Sequence, residues 1–363
     1  MNSYFIIILA SIFLCPVASL AQQEKAAPTA IQKANLPHVH YMTGVGTLPR
    51  NPKNRLEYLR YALTGEPRLT NKELFERIPE VQQFARITVE SEAFLPYETA
   101  EDLKALSLRI SAYLKDPDIA GVVFGHGTNT IEETAYFLNL TLKSDKPVVI
   151  VGAQRPFSTL SSDAPLNLLN AIRVAADPGS KGKGVLVVLN DEINAAREVT
   201  KTNTYRVETF QSRELGLLGY ADPDKIVYYR APTRKHTTQS EFDLTQIKSF
   251  PRVDILYSYT GDDGELAKAS VAIGAKGLIV AGTGAGHTQN ALEVLKELSN
   301  KQGVRVVRSA RVGAGRVIRD DNWQAPGFIA ADNLNPQKAR ILLQLALTKT
   351  TNPDEIQRMF DEY

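Results

Sequence analysis

Cysteine is nearly absent. The 363-residue chain has one, Cys15, inside an N-terminal apolar segment, so the remainder offers no thiol for a disulfide framework, a cysteine nucleophile or a thiolate metal site. Neither sign of charge is in excess: 42 Lys and Arg face 40 Asp and Glu, which removes the footprint of a nucleic-acid binder or of a protein drawn to an anionic membrane. Histidine is scarce too. The five include one close pair, His38-x-His40, and no His-Glu-x-x-His motif, so neither a zinc site nor any other metal or cofactor is expected. After the N-terminus no run approaches the roughly 20 apolar residues that cross a bilayer. What is present, 43% hydrophobic and 8% aromatic residues, describes a globular chain long enough for two domains. Small molecules are therefore the leading partners.

The segment Phe5 to Leu14 reads FIIILASIFL and is followed by Ser19-Leu20-Ala21, with small residues at the two positions that a signal peptidase reads. The run is too short for an ordinary spanning helix. Residues 1–21 are expected to be a cleavable export signal, which places the protein in the periplasm or outside the cell, free of the membrane once the signal is removed. Residues 22–35, polar and alanine-rich, read as a flexible leader, and the fold is expected to start at Leu36.

From there short apolar runs alternate with amphipathic segments. Strand-like runs occur at 39–42, 87–89, 122–124, 148–151 and 185–189. Between them, helices are expected over 71–78, 100–114 and 165–176, and from Thr130. Leu103, Leu106, Ile110 and Leu114 share one face of the second helix, which Thr99 and Asp102 cap; Thr130 and Glu133 form a second Thr-x-x-Glu box. This alternation is that of an α/β fold with a sheet covered on both faces. Residues 36–229 read as a larger N-terminal domain with a parallel or mixed sheet, 230–250 as a polar linker, and 251–363 as a smaller parallel α/β domain.

Three polar clusters fall where strands should end, which is where open α/β sheets place ligands. Thr43-Gly44-Val45-Gly46-Thr47 sets a hydroxyl among glycines that let backbone approach a ligand, yet Leu48-Pro49 breaks any dinucleotide fingerprint. Gly125-His126-Gly127-Thr128-Asn129-Thr130 puts Thr128 and Asn129 at a helix start. Glu198 to Thr204 surrounds Lys201 with small hydroxyl residues, a setting in which a desolvated lysine can take a proton from a hydroxyl. Each alone also fits a structural turn or a solvated lysine. Gly282-Thr-Gly284-Ala-Gly286 has the composition of an anion loop but not the Gly-x-Gly-x-x-Gly spacing, and reads as close packing.

Taken together these stretches resemble the bacterial type II L-asparaginases. The likeness runs from Leu36 to the C-terminus and is most specific in HGTNTIEETAYFLNLTLKSDKPVVIVGAQRP (126–156), SSDAPLNLLNA (161–171), EVTKTNT (198–204), RKHTTQSEFDL (234–244) and LNPQKARILLQLALTKT (334–350). The resemblance implies hydrolysis of the side-chain amide of asparagine, often of glutamine too, through an acyl-enzyme. It makes Thr47 the nucleophile and Thr128 and Lys201 the second cluster, and it asks for a tyrosine in the loop after Thr47, for which Tyr61 is preferred over Tyr58. Ser91 and Glu92 match the pair that grips the substrate's α-carboxylate and α-ammonium groups. A homotetramer is also implied.

The chain departs from the family at three points. Asn129 stands where the family writes aspartate, removing a carboxylate that pairs with substrate ammonium. The first loop has one residue more than Thr-Gly-Gly-Thr, and Ala285 stands near a position where the family offers asparagine to the neighbouring subunit. Two alternatives follow: an amidase whose substrate lacks a free α-ammonium group, to which Asn129 is better suited, and a catalytically silent amino-acid-binding homologue.

Overall fold

The computed structural model describes residues 35–63, 68–90, 94–319 and 327–363. The expected signal peptide, nearly all of the leader, and both Ser91 and Glu92 lie outside the described residues. Along the chain run β1 (His38–Thr43), α1 (Asn71–Glu76), β2 (Arg86–Val89), α2 (Ala100–Leu114), β3 (Ile119–Gly125), α3 (Ile131–Thr141), β4 (Val148–Val151), α4 (Ala164–Ala176) and β5 (Val185–Leu189). The short strands β6 (Glu192–Ala195), β7 (Thr200–Lys201), β8 (Phe210–Gln211), β9 (Gly219–Ala221) and β10 (Ile226–Tyr228) come next. The chain closes with β11 (Val253–Tyr257), α5 (Glu265–Ala272), β12 (Gly277–Gly282), α6 (Leu292–Gln302), β13 (Arg305–Ala310), β14 (Ile329–Ala330), α7 (Pro336–Ala346) and α8 (Pro353–Glu362).

The first sheet has eight strands in the order β10-β9-β6-β5-β4-β3-β1-β2, and its five-strand parallel part reads 2-1-3-4-5. Its period-2 alternation sorts the strand residues to two cores. Val39, Tyr41, Val123, Val149, Val151, Leu186 and Val188 pack with α4. Met42, Val122, Phe124, Val148, Ile150, Val185 and Val187 pack with α2 and α3. Both faces are covered, so every one of these side chains leaves water.

The mixed part arises at Asn190-Asp191, whose φ values of 54° and 64° make a two-residue turn that reverses the chain. Leu189 then pairs with Glu192 in an antiparallel ladder, and β9 and β10 add to the same edge. The second sheet is parallel, β11-β12-β13-β14. A third core joins the two sheets: Tyr136, Phe137 and Leu140 of α3 pack with Ile279, Val307, α7 and α8. The stretch 230–250, read as a polar linker, is anchored in that core by Phe242, Leu244 and Ile247.

The Thr99–Asp102 capping box forms in both directions at α2. The one expected at Thr130–Glu133 does not. Thr130 has φ −128° and ψ 19°, away from the extended geometry that aims a capping hydroxyl at the third amide of the helix, and its side chain makes no cap bond. Glu133 is instead turned into a cleft and feels the charge of Arg340. Gly282 to Gly286 folds back on itself, with the Gly282 backbone against Gly286 and the Arg308 guanidinium donating to the Gly286 and Ala285 carbonyls.

Candidate active site

In a 2-1-3-4-5 sheet the crossovers leaving β1 and β3 depart in opposite directions, which opens a crevice beyond their C-terminal ends. The loop after β1 carries Thr47 and the turn after β3 carries Thr128. Both line one cleft of about 640 Å³, together with Tyr61, Asn129 and Lys201. The sequence separation of 81 residues between the threonines is thus removed by strand pairing alone.

The two loops cross in contact. A Cβ on Gly46 would lie 2.8 Å from the Gly127 amide nitrogen, and one on Gly127 would lie 2.9 Å from the Val45 carbonyl oxygen. Only glycine permits this approach. Tyr97 fastens the crossing: its hydroxyl donates to the Val45 carbonyl and accepts from the Gly127 amide at 3.2 Å. Its ring stacks on His126 at 3.7 Å. His126 is fully enclosed, so burial lowers its pKa to about 4, and its ring nitrogens meet the Gly127 carbonyl (2.6 Å) and Thr134 Oγ1 (2.8 Å). It is a neutral strut for the turn.

Two hydroxyl-centred contacts face the cleft. Thr47 Oγ1 shares a 2.8 Å hydrogen bond with the Tyr61 hydroxyl. Tyr58 also lines the cleft, but its hydroxyl donates to the Leu160 carbonyl. Lys201 Nζ donates to Thr128 Oγ1 at 2.9 Å, and Thr128 donates to Gln154 Oε1 at 3.4 Å. Partial burial holds the Lys201 ammonium below the ordinary lysine range, and among the described residues no carboxylate acts to raise it. Asn129, at the solvent-exposed end of the same turn, presents a neutral amide to the same cleft.

The structure therefore brings Thr47, Tyr61, Thr128, Asn129 and Lys201 to one cleft. Sequence reasoning missed Tyr97, Gln154, and the wall that α7 contributes through Arg340 and Gln344. Gln154 follows the end of β4, beside β3, so the rule that placed Thr128 at a strand end also points to it. Tyr97 sits in an irregular segment after β2 and carries no local signal.

A cleft at the switch point of a doubly wound sheet, lined by two glycine-flanked threonines and a desolvated lysine, has the parts of a hydroxyl-dependent hydrolase. Family comparison gives the same class. Residues 40–234 match the model described as Asparaginase, N-terminal, and residues 252–360 match the Glutaminase/Asparaginase C-terminal domain. The L-asparaginase 2 of Bacillus subtilis is 42% identical over 352 residues, covering 96% of this chain and 92% of that protein. The glutaminase-asparaginase of Pseudomonas fluorescens is 39% identical over 364 residues, 98% and 97% of the two chains. The crystal structure of a probable cytoplasmic L-asparaginase from Campylobacter jejuni superposes with a TM-score of 0.82 at 42% identity, covering 90% of this chain and all of the other. The chain belongs to the asparaginase family, in its type II branch.

Proposed function

We propose that the chain hydrolyses the side-chain amide of L-asparagine, and of L-glutamine, to the acid and ammonia. The observation that carries the reading is the crossing of the two glycine loops, which sets Thr47 with its tyrosine partner and Thr128 with its lysine partner in a single cleft. The names borne by the relatives, asparaginase and glutaminase-asparaginase, support the substrate.

In this reading Thr47 Oγ1 attacks the amide carbon as Tyr61 relays its proton to the departing nitrogen. The tetrahedral intermediate expels ammonia, and the resulting Thr47 ester is cleaved by water, which restores the hydroxyl. In the second half a neutral Lys201 reverses its contact with Thr128: Thr128 takes a proton from the incoming water as Lys201 accepts the Thr128 proton, and the proton returns to Thr47 Oγ1 as the ester bond breaks. Peptide groups at the start of α3 present positive dipole ends where the oxyanion forms. Ser91 and Glu92 are assigned the substrate's α-carboxylate and α-ammonium, and Asn129 a neutral contact to the latter.

We assign the N-terminal lobe to residues 36–229 and the C-terminal lobe to 251–363. Export to the periplasm rests on residues 1–21, because relatives of similar identity include a protein named as periplasmic, from Haemophilus influenzae, and one named as cytoplasmic. A homotetramer is consistent with the apolar surface that the second lobe leaves exposed at Tyr257, Leu266 and Ile273.

The test is ammonia release by residues 22–363 with L-asparagine, L-glutamine, D-asparagine and an N-blocked asparagine, against Thr47→Ala. Turnover of free L-asparagine that the variant abolishes while keeping its fold is the expected result. Silence on the free amino acids with cleavage of the blocked amide would replace the substrate, and near-native activity in the variant would remove Thr47 as nucleophile.

A further inference from the structure

Lys201 stands on a strand that cannot hold itself. β7 is two residues long and, among the described residues, pairs only with the two residues of β8, Thr200 with Gln211 and Lys201 with Phe210. So short a ladder fixes neither twist nor height. Support arrives from the other lobe, at the first turn of α7. Lys338 is 2% exposed, and its Nζ donates to the carbonyl oxygens of Arg197, at 2.9 Å, and of Val199, the peptides that lead into β7.

The residue that caps α7 extends the grip. Asn335 Oδ1 accepts from the Lys338 amide at 3.0 Å, while its Nδ2 donates to Glu132 Oε2 at 2.9 Å and to Thr200 Oγ1 at 3.4 Å. Gln337 Nε2 donates to Glu132 Oε1 at 3.3 Å. Glu132 belongs to the first turn of α3, four residues after Thr128, and is itself buried. One helix start thus holds both the strand that carries Lys201 and the helix that follows Thr128.

We propose that Lys338 is a positioning residue for the hydrolysis: with Asn335 it sets the separation of Thr128 and Lys201 by tying β7 and α3 to the start of α7. A buried ammonium is an expensive way to fill space, since apolar packing of the same volume avoids the desolvation cost. What an apolar side chain lacks is donors for two carbonyls of one short segment, those of Arg197 and Val199. The contact between Lys201 and Thr128 is a single 2.9 Å bond, so a displacement of β7 by a fraction of an ångström is felt there directly.

The inference rests on the amide-hydrolase reading, and its test separates the two. Lys338→Met keeps length and apolar bulk but removes the donors. Asn335→Asp keeps the helix cap and turns its Nδ2 donor into an acceptor facing Glu132. Each purified variant is compared with wild type for kcat, KM and the pH dependence of kcat on L-asparagine, with circular dichroism to establish folding. For both variants kcat is expected to fall by roughly 10²-fold with KM changed less than about threefold. The acidic limb of the kcat profile is also expected to move to higher pH, because a loosened strand admits water to Lys201 and relieves the desolvation that depresses it. A general loss of packing would lower the amount of folded enzyme without moving that limb. If Lys338→Met fails to fold, Asn335→Asp decides. Folded variants with wild-type kcat and an unmoved limb overturn the inference, whereas a silent wild type overturns the functional reading instead.

Discussion

Gly46→Ala tests whether the loop crossing sets the catalytic spacing. Gly46 has no left-handed φ, so alanine suits its backbone and the effect of the substitution is purely steric. The added methyl would lie 2.8 Å from the Gly127 nitrogen, 3.0 Å from its Cα and 3.0 Å from the His126 carbonyl carbon, all backbone atoms that no rotamer change can move. Ordinary contact begins at 3.4 Å, so the β1 and β3 loops must part by roughly 0.6 Å, and Thr47 must shift against Thr128 and Lys201 by a similar amount. Overpacking of this kind costs about 1–3 kcal/mol, a few degrees of Tm, which leaves the protein folded. Misplacement of reacting groups by about 1 Å costs on the order of 10²-fold in rate, so a kcat loss of roughly 10–10²-fold is expected. The assay is steady-state ammonia release with L-asparagine beside a thermal melt. A kcat within twofold of wild type, with Tm lowered as described, would show that the loops part without moving the threonines and would refute the argument.

Two further outcomes follow from charge. Asn129→Asp places a carboxylate in the cleft that Lys201 lines; it supplies the substrate ammonium with a counter-ion and raises the Lys201 pKa. Asparagine turnover is expected to rise while the acidic limb of the rate profile moves to higher pH; an unchanged or lowered rate would show a site built around the amide. His126 titrates at about 4 in the fold and at about 6.5 when unfolded, so the unfolded chain binds the extra proton between those values. Its contribution is intact above pH 6.5 and is lost as pH falls to 4, amounting to roughly 3 kcal/mol. Melting curves from pH 7 to 4 should therefore decline more steeply for wild type than for His126→Gln, and parallel declines would contradict the assignment.

Much of the lobe architecture was legible because its cause is local. The apolar runs at 148–151 and 185–189 are too short for helices, and their alternating side chains fill two separate cores in the structure. Thr99 and Asp102 cap α2 because four consecutive residues contain the whole device. The same signature at Thr130 failed because the β3 turn and the cleft, not the box, dictate that backbone and the direction of Glu133. The residue types of Asn190-Asp191 mark the two-residue hairpin that turns the parallel sheet into a mixed one, so that reversal too has a local cause.

The sequence by itself determined the α/β alternation, the covered sheets, the family, and which hydroxyls and lysine belong to its motifs. Those properties follow from side-chain period, from glycine and capping chemistry, and from matches in unbroken order. Tertiary structure alone decided that Tyr61 and not Tyr58 meets Thr47, that Tyr97 locks the two glycine loops, and that Lys338, from the other lobe, holds the strand of Lys201. The reason is physical: each of the latter two contacts joins segments that share no local pattern and depends on the register of strands whose pairing no stretch of the chain encodes alone.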